Sequence, residues 1–207
     1  MTVKQATPAY PLSDSVFLET GDAEIARREM SKILAPHAMV PRPGQGAFHA
    51  RHHHARLAGM SVNFIQYIPG ATISADLSRR FYLVHYVLSG ECRLGPESGG
   101  QVLVGGDIAV INPTEPFSLQ TSDDSGQIVI KLESDVLADV AQKRFSISAE
   151  PPIRFDTASA GNRNASIARV IDLICHEADR SGTGENGPQT ERMLAELLAV
   201  ALIEGLA

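Results

Sequence analysis

Four of the seven histidines in this chain fall between His49 and His54, interleaved with Arg51 and followed by Arg56. Clustered imidazoles can hold a transition metal, but an open Fe, Mn or Zn site also wants a converging carboxylate, and none lies in this run. Adjacent histidines of this kind read instead as a pH-sensitive strand surface. Alternate residues of a strand share a face, so His52 lies with His54, whereas His49, Arg51 and His53 lie with Leu57. If Leu57 points inward, those three enter the interior, and Arg51 can clamp a carboxylate through its planar fork. The alternative is that Arg51 and Arg56 are solvated charges on a strand face.

The other candidate residues lie downstream. Phe81 to Gly90 is a β-branched and aromatic run closed by glycine, and Phe81, Leu83, His85 and Val87 share one face. His85 is therefore either a hydrogen-bonded core histidine or a ligand contact. Phe117 and Leu119, on a later strand, add ring-sized apolar wall. An apolar interior with a few convergent polar groups is the usual form of a small-molecule site. The eight candidate ligand-binding residues are thus His49, Arg51, His53, Phe81, Leu83, His85, Phe117 and Leu119, and the ligand expected is a small aromatic or otherwise apolar carboxylate.

The elements that position these residues follow in order. Met1 to Thr20 lacks periodicity and reads as a surface arm. Asp22 can cap a short amphipathic helix carrying Ile25, Ala26, Met30, Ile33 and Leu34, limited by Pro36. Val40 to Gly46 reads as a loop. Phe48 to Leu57 and Met60 to Ile68, separated by Gly59, make a hairpin, and Ala71 to Leu77 a short strand. After Phe81 to Gly90 come Glu91 to Leu94, Gln101 to Val104, Ile108 to Ile111, Phe117 to Gln120 and Gln127 to Leu132. Turn signals such as Gly105-Gly106-Asp107 and Asn112-Pro113 separate them. About eight strands at this spacing predict a two-sheet jelly roll. Helices then follow over Asp135 to Lys143, Ala165 to Asp179 and Gln189 to Leu206, the last two forming an antiparallel pair joined by a Gly/Ser-rich loop at Ser181 to Pro188. Their wide apolar stripes fit either packing on the barrel or a dimer seam. The last helix runs to Ala207 without a polar tail or cap, as expected of a fragment of a longer chain, a natural terminus being the alternative.

Composition narrows the function classes. With 207 residues and 43% hydrophobic content the chain can bury a real core. A net charge of -6 is unsuited to gripping a nucleic acid backbone. Cys92 and Cys175 have no metal or redox spacing, the first twenty residues lack a signal-peptide pattern, and no 18-residue apolar span exists, so a reduced cytoplasmic protein without a membrane segment is expected.

Leu83 to Gly90 followed by Gly106-Asp107-Ile108-Ala109-Val110-Ile111-Asn112-Pro113 resembles the cupin core. The combination of Asp22 to His37, Arg51 to Leu57, Phe81 to Gly90 and Gly106 to Pro116 is similar to the amino-terminal effector-binding domain of AraC/XylS-type transcriptional regulators, the XylS-like branch above all. The resemblance covers Asp22 to Leu132, and the two final helices match the dimerisation helices expected next. It implies a fold that is mainly β with flanking helices: a cupin-like jelly-roll barrel followed by two antiparallel C-terminal helices. Residues 1-160 would be the effector-binding domain with its arm and first helix, and 161-207 the dimerisation segment. It further implies a homodimer through those helices, a DNA-binding domain beyond residue 207, no enzymatic activity and no cofactor. The arm is the candidate moving part. A catalytic cupin would carry a glutamate where Leu83 stands and a histidine near Phe117, so two metal positions are apolar here. The rival readings are a metal-dependent cupin enzyme and a closed dimerising module without ligand.

Overall fold

The structure is a computed structural model that describes residues 10–44, 46–75, 80–96, 98–148, 152–156, 164–181 and 187–206. The first nine residues of the expected arm, the end of the strand expected to reach Leu77, most of the loop expected before Pro188 and Ala207 lie outside them.

The chain folds as a cupin-like jelly roll of two antiparallel sheets. In chain order the elements begin with β1 (Val16–Thr20), α1 (Ala23–Ile33), β2 (Ala38–Pro41), β3 (His49–Leu57), β4 (Met60–Ile68) and β5 (Ala71–Ala75). They continue with β6 (Phe81–Ser89), β7 (Glu91–Leu94), β8 (Gln101–Val104), β9 (Ile108–Ile111), β10 (Phe117–Thr121) and β11 (Gly126–Glu133). Three helices close the chain: α2 (Ser134–Val140), α3 (Asn164–Ser181) and α4 (Pro188–Leu206). The larger sheet has the order β1-β3-β4-β11-β6-β9 and the smaller β2-β5-β10-β7-β8.

Local chemistry sets the boundaries. The Asp22 carboxylate accepts from the backbone N–H groups of Glu24 and Ile25 at 2.8 and 3.0 Å, satisfying two orphan donors of α1. Gly90 turns β6 into β7 at φ +67°, where a Cβ would sit 2.6 Å from Asp124, Ser122 and Ser125 atoms. α2 is shorter than expected and runs into a π-helical turn at Ala141–Phe145. Two strands were invisible to periodicity. β1 lies within the expected arm, and β2 overlaps the expected loop; both are edge strands, β1 of mixed composition and β2 only four residues long and ending at a proline.

The larger sheet is buried on both faces. One face, with Leu57, Val62, Phe64, Val84, Ile128, Ile130 and Leu132, packs under the helices against Ile167, Ile171, Leu198 and Leu202. The other, with Ala50, Ile65, Tyr67, Leu83, Val87 and Val129, faces the smaller sheet and α1. The layers are therefore helices, larger sheet, smaller sheet. Leu12, fully buried, inserts into the helix-side core from the amino-terminal segment.

On α4, Leu198 is fully buried whereas its neighbour Leu197 is 41% exposed. Leu198→Ala is expected to lower unfolding free energy by about 2–5 kcal/mol, whereas Leu197→Ala changes it by less than about 0.5 kcal/mol. Urea unfolding of the two variants checks this, and equal losses would contradict the helix–sheet seam.

Candidate functional site

The two inner faces of the barrel leave a cavity. Its walls are Ile65 and Tyr67 of β4, Leu83 and His85 of β6, Gln127 and Val129 of β11, Ile73 and Ala75 of β5, and Phe117 and Leu119 of β10. Leu34, Ala35 and His37, in the corner between α1 and β2, close it. The internal space is about 40 Å³. That is room for one or a few waters, where a cavity that takes benzene is on the order of 150 Å³.

Leu83, His85, Phe117 and Leu119 therefore lie on one cavity, on the interior face expected for β6 and β10. Phe81 belongs to the same core, with the Lys131 ammonium 4.4 Å from its ring centroid, but it does not line the cavity. His49, Arg51 and His53 lie elsewhere. Leu57 does point into a core, but into the one beneath the helices, so its strand-mates face away from the barrel interior. Arg51 Nε donates to Glu19 Oε1 at 2.6 Å, Nη1 donates to Gln66 Oε1 at 3.3 Å, and the guanidinium lies 4.3 Å from the Tyr10 ring centroid. That ion pair holds the Glu19 carboxyl below its ordinary range. His53 Nδ1 donates to the Pro11 carbonyl at 2.8 Å, and its ring meets Tyr10 and Phe64. Arg51 and His53 fasten the amino-terminal segment, half-buried His49 lies on their face of β3, and none of the three lines the cavity.

The cavity's polar groups are held by hydrogen bonds. His85 Nδ1 donates to Gln127 Oε1 at 2.9 Å, and the Cys92 thiol approaches the same oxygen at 3.9 Å. Burial pushes that thiol up to about 12, so it stays protonated; the Cys175 thiol is likewise pushed up to about 12, by burial and then by Asp172 and Asp179. Tyr67 donates its hydroxyl to Met30 Sδ at 2.8 Å, and burial raises its pKa. His37 Nδ1 lies 2.7 Å from the Ala35 carbonyl and 3.3 Å from Ser31 Oγ. Burial lowers the His37 pKa more than the Ala35 bond raises it, and Arg27 lowers it further. Among the described residues, no lysine, arginine, aspartate or glutamate lines the cavity.

His37, Tyr67 and Gln127 were not legible as site residues. Tyr67 and Gln127 alternate with apolar residues in strands buried on both faces, and the only hint was polarity inside such a run. His37 sits in an aperiodic Pro-bounded corner.

His52 and His54 share a face, as their spacing required, but it is the barrel-side face with Ala50, and His52 is fully buried there instead of lying on an exposed strand surface. His52 Nε2 and His54 Nδ1 both donate to Asn63 Oδ1, at 3.0 and 2.9 Å, while Asn63 Nδ2 donates to the Val129 carbonyl at 2.9 Å. Phe17 sets its ring edge-on to both imidazoles. Among the described residues, no three His, Cys, Asp or Glu side chains come together to hold a metal ion.

A two-sheet jelly roll with an apolar internal cavity, backed by a helical pair, defines a cupin-like binding domain. The chain belongs to the AraC-binding-like domain family, whose model matches residues 26–204, barrel and helices together. It is 22% identical over 178 residues to the XylDLEGF operon transcriptional activator 1 of Pseudomonas putida, covering 86% of this chain and 54% of that protein. The corresponding activator 3 of the same organism is 21% identical over 165 residues, covering 80% and 49%. The chain thus spans about half the length of the curated relatives it matches. In fold it is similar to the crystal structure of the AraC-like transcriptional activator CuxR, with a TM-score of 0.67 at 13% identity, covering 92% of this chain and 69% of that one. Among the described residues, no helix is long and apolar enough to cross a membrane.

Desolvation lowers the His52 pKa from 6.5 to about 4, against the opposing Asn63 bond and with His54 and His53 adding to the fall. The His37 and His54 pKa values move in the same direction, with burial the largest cause. Above pH 6.5 these rings are neutral whether folded or unfolded. As pH falls from 6.5 toward 4 the unfolded chain gains protons that the folded chain refuses, so stability is lost. His52 alone is worth on the order of 3 kcal/mol over that window. Urea titrations between pH 7.5 and 4.5 are expected to show this fall, and a shallower fall in His52→Gln; an unchanged slope in the variant would remove His52 as a main contributor.

Proposed function

We propose that this chain is the ligand-sensing and dimerisation part of an AraC-type transcriptional regulator, binding a small, ring-sized apolar effector in the barrel cavity. The observation that carries this reading is an apolar space inside the barrel, met by His37, His85 and Gln127, in a chain of the AraC-binding-like family. The carboxylate expected from the sequence loses its anchor, because Arg51 is engaged with Glu19 on the opposite face of the sheet. We assign effector binding to 1-160 and dimerisation to 161-207, with DNA contacted only by a segment outside this chain, a cytoplasmic location and no catalysis.

The cavity is smaller than a ring, so binding must displace a wall. The corner at Leu34–His37 is the wall without ladder hydrogen bonds, and α1 behind it also packs on β1 and β3. An effector that favours the displaced corner shifts the equilibrium of α1 and the amino-terminal strand, and so biases what they contact. For dimerisation, Met193 and Leu197 stand four residues apart on α4, and Leu173 lies on α3; they are 63%, 41% and 42% exposed. These are the exposed apolar side chains that a dimer seam on the helical pair would use.

Thermal unfolding with toluene, 4-methylphenol and 4-methylbenzoate at millimolar concentration is expected to show stabilisation of several degrees with at least one ring compound, and Leu119→Phe, which fills the cavity, should abolish it. No shift with any of them would contradict the cavity as an effector site. For the seam, sedimentation is expected to find a dimer that Met193→Glu with Leu197→Glu converts to monomer; a wild-type monomer at 100 μM would contradict the dimer.

A further inference from the structure

The polar groups of the cavity define the chemistry of the effector, given the cavity reading above. A carbonyl oxygen only accepts, so the 2.7 Å contact between His37 Nδ1 and the Ala35 carbonyl places the ring proton on Nδ1. In the neutral ring Nε2 is then an acceptor. That nitrogen is buried, its ring lines the cavity, and it has no hydrogen-bond partner among the described residues. A buried acceptor without a partner is costly, and a ligand that supplies a donor removes that cost. His85 is oriented likewise, because Gln127 Oε1 takes its Nδ1 proton and leaves Nε2 as the acceptor nitrogen.

We propose that the effector is an uncharged, phenol-class molecule, an apolar ring with one hydroxyl that donates its proton to His37 Nε2. Three observations favour this over an anion. A carboxylate offers only acceptors to an acceptor nitrogen. It would also enter an apolar cavity that no cation lines among the described residues, leaving its desolvation uncompensated. Binding instead as the neutral acid costs about a thousandfold in affinity at pH 7.5, given an ordinary carboxyl pKa of about 4.3. A phenol, with a pKa of about 10, enters already protonated. Phe117, Leu119, Leu83 and Val129 are among the apolar walls that the ring would meet.

Calorimetric titration of the 207-residue chain with 4-methylphenol, toluene and 4-methylbenzoate at pH 7.5 tests the assignment. 4-Methylphenol is expected to bind at least about tenfold more tightly than either of the others, with affinity flat between pH 6.5 and 8.5. In His37→Phe, and in His37→Leu as a second variant, toluene affinity should persist while 4-methylphenol falls to the toluene level. Tighter binding of 4-methylbenzoate, with or without proton uptake, would overturn the proposal while leaving the cavity in place. So would a 4-methylphenol advantage that survives both His37 variants. Failure of all three compounds, or affinities unchanged by Leu119→Phe, would overturn the cavity reading and this inference with it.

Discussion

Everything in this molecule depends on a sheet that must satisfy two apolar cores at once. β4 and β11 run side by side through its centre and are buried along nearly their whole length. Their residues alternate between the helical layer and the barrel interior, so neighbours such as Val129 and Ile130 serve different cores. Fully burying one such aliphatic side chain is worth about 1.5–3 kcal/mol, so both cores draw strongly on the same few strands. The helices consequently hold the barrel from outside. They share one cluster with Leu57, Phe64 and Ile130, and the barrel-facing half of the sheet is left to line the cavity.

The same constraint explains what the sequence could and could not reveal. Strand positions, turns and the helical pair were legible because glycine and proline punctuation is local chemistry; Gly90 is one such position, closing β6 at a positive φ. The interior face of β6 was legible too, since Leu83, His85 and Val87 shared a parity that Phe117 and Leu119 could match across the barrel. On β3 parity grouped the residues correctly and oriented them wrongly. Period two says which side chains go together, and with Leu57 and Ala50 both buried it does not say which core receives which set. β1 and β2 escaped notice because edge strands with one solvated side carry little alternation. His37 escaped because nothing periodic surrounds it, and its role depends on one bond to the backbone two residues earlier.

Charge is distributed so that cations act as fasteners outside the cavity. Arg51 ties Glu19, Gln66 and the face of Tyr10 together, and so fixes β1 and the segment before it. Lys131 donates to the Ile33 carbonyl at the end of α1 at 3.0 Å and covers Phe81. Its ammonium is partly desolvated, which lowers its pKa, with Arg56 adding to the fall and Glu133 opposing it. Inside, the polar groups are imidazoles, a carboxamide, a thiol and a phenol. Such groups order one another through hydrogen bonds without a net charge to solvate, as His85, Gln127 and Cys92 do.

Coupling between the cavity and the helical layer has a physical route through this architecture. The corner at Leu34–His37 is both a wall of the cavity and the end of α1, and Lys131 binds α1's Ile33 carbonyl from the central strand. α1 packs against β1 and β3, and β1 aligns Leu18, Glu19 and Thr20 with His52, Arg51 and Ala50. One residue further along β3, His53 holds the Pro11 carbonyl, beside Leu12, which is buried among the helix-side residues. A continuous series of contacts of one or two residues each thus joins the corner to Leu12, the side chain wedged between sheet and helices. Each link is a packed or hydrogen-bonded contact, and packed contacts of this kind rearrange between discrete arrangements instead of deforming smoothly. The amino-terminal segment belongs to that chain of contacts because Leu12 occupies the helix-side core, whereas the cavity it would report on lies on the other face of the sheet.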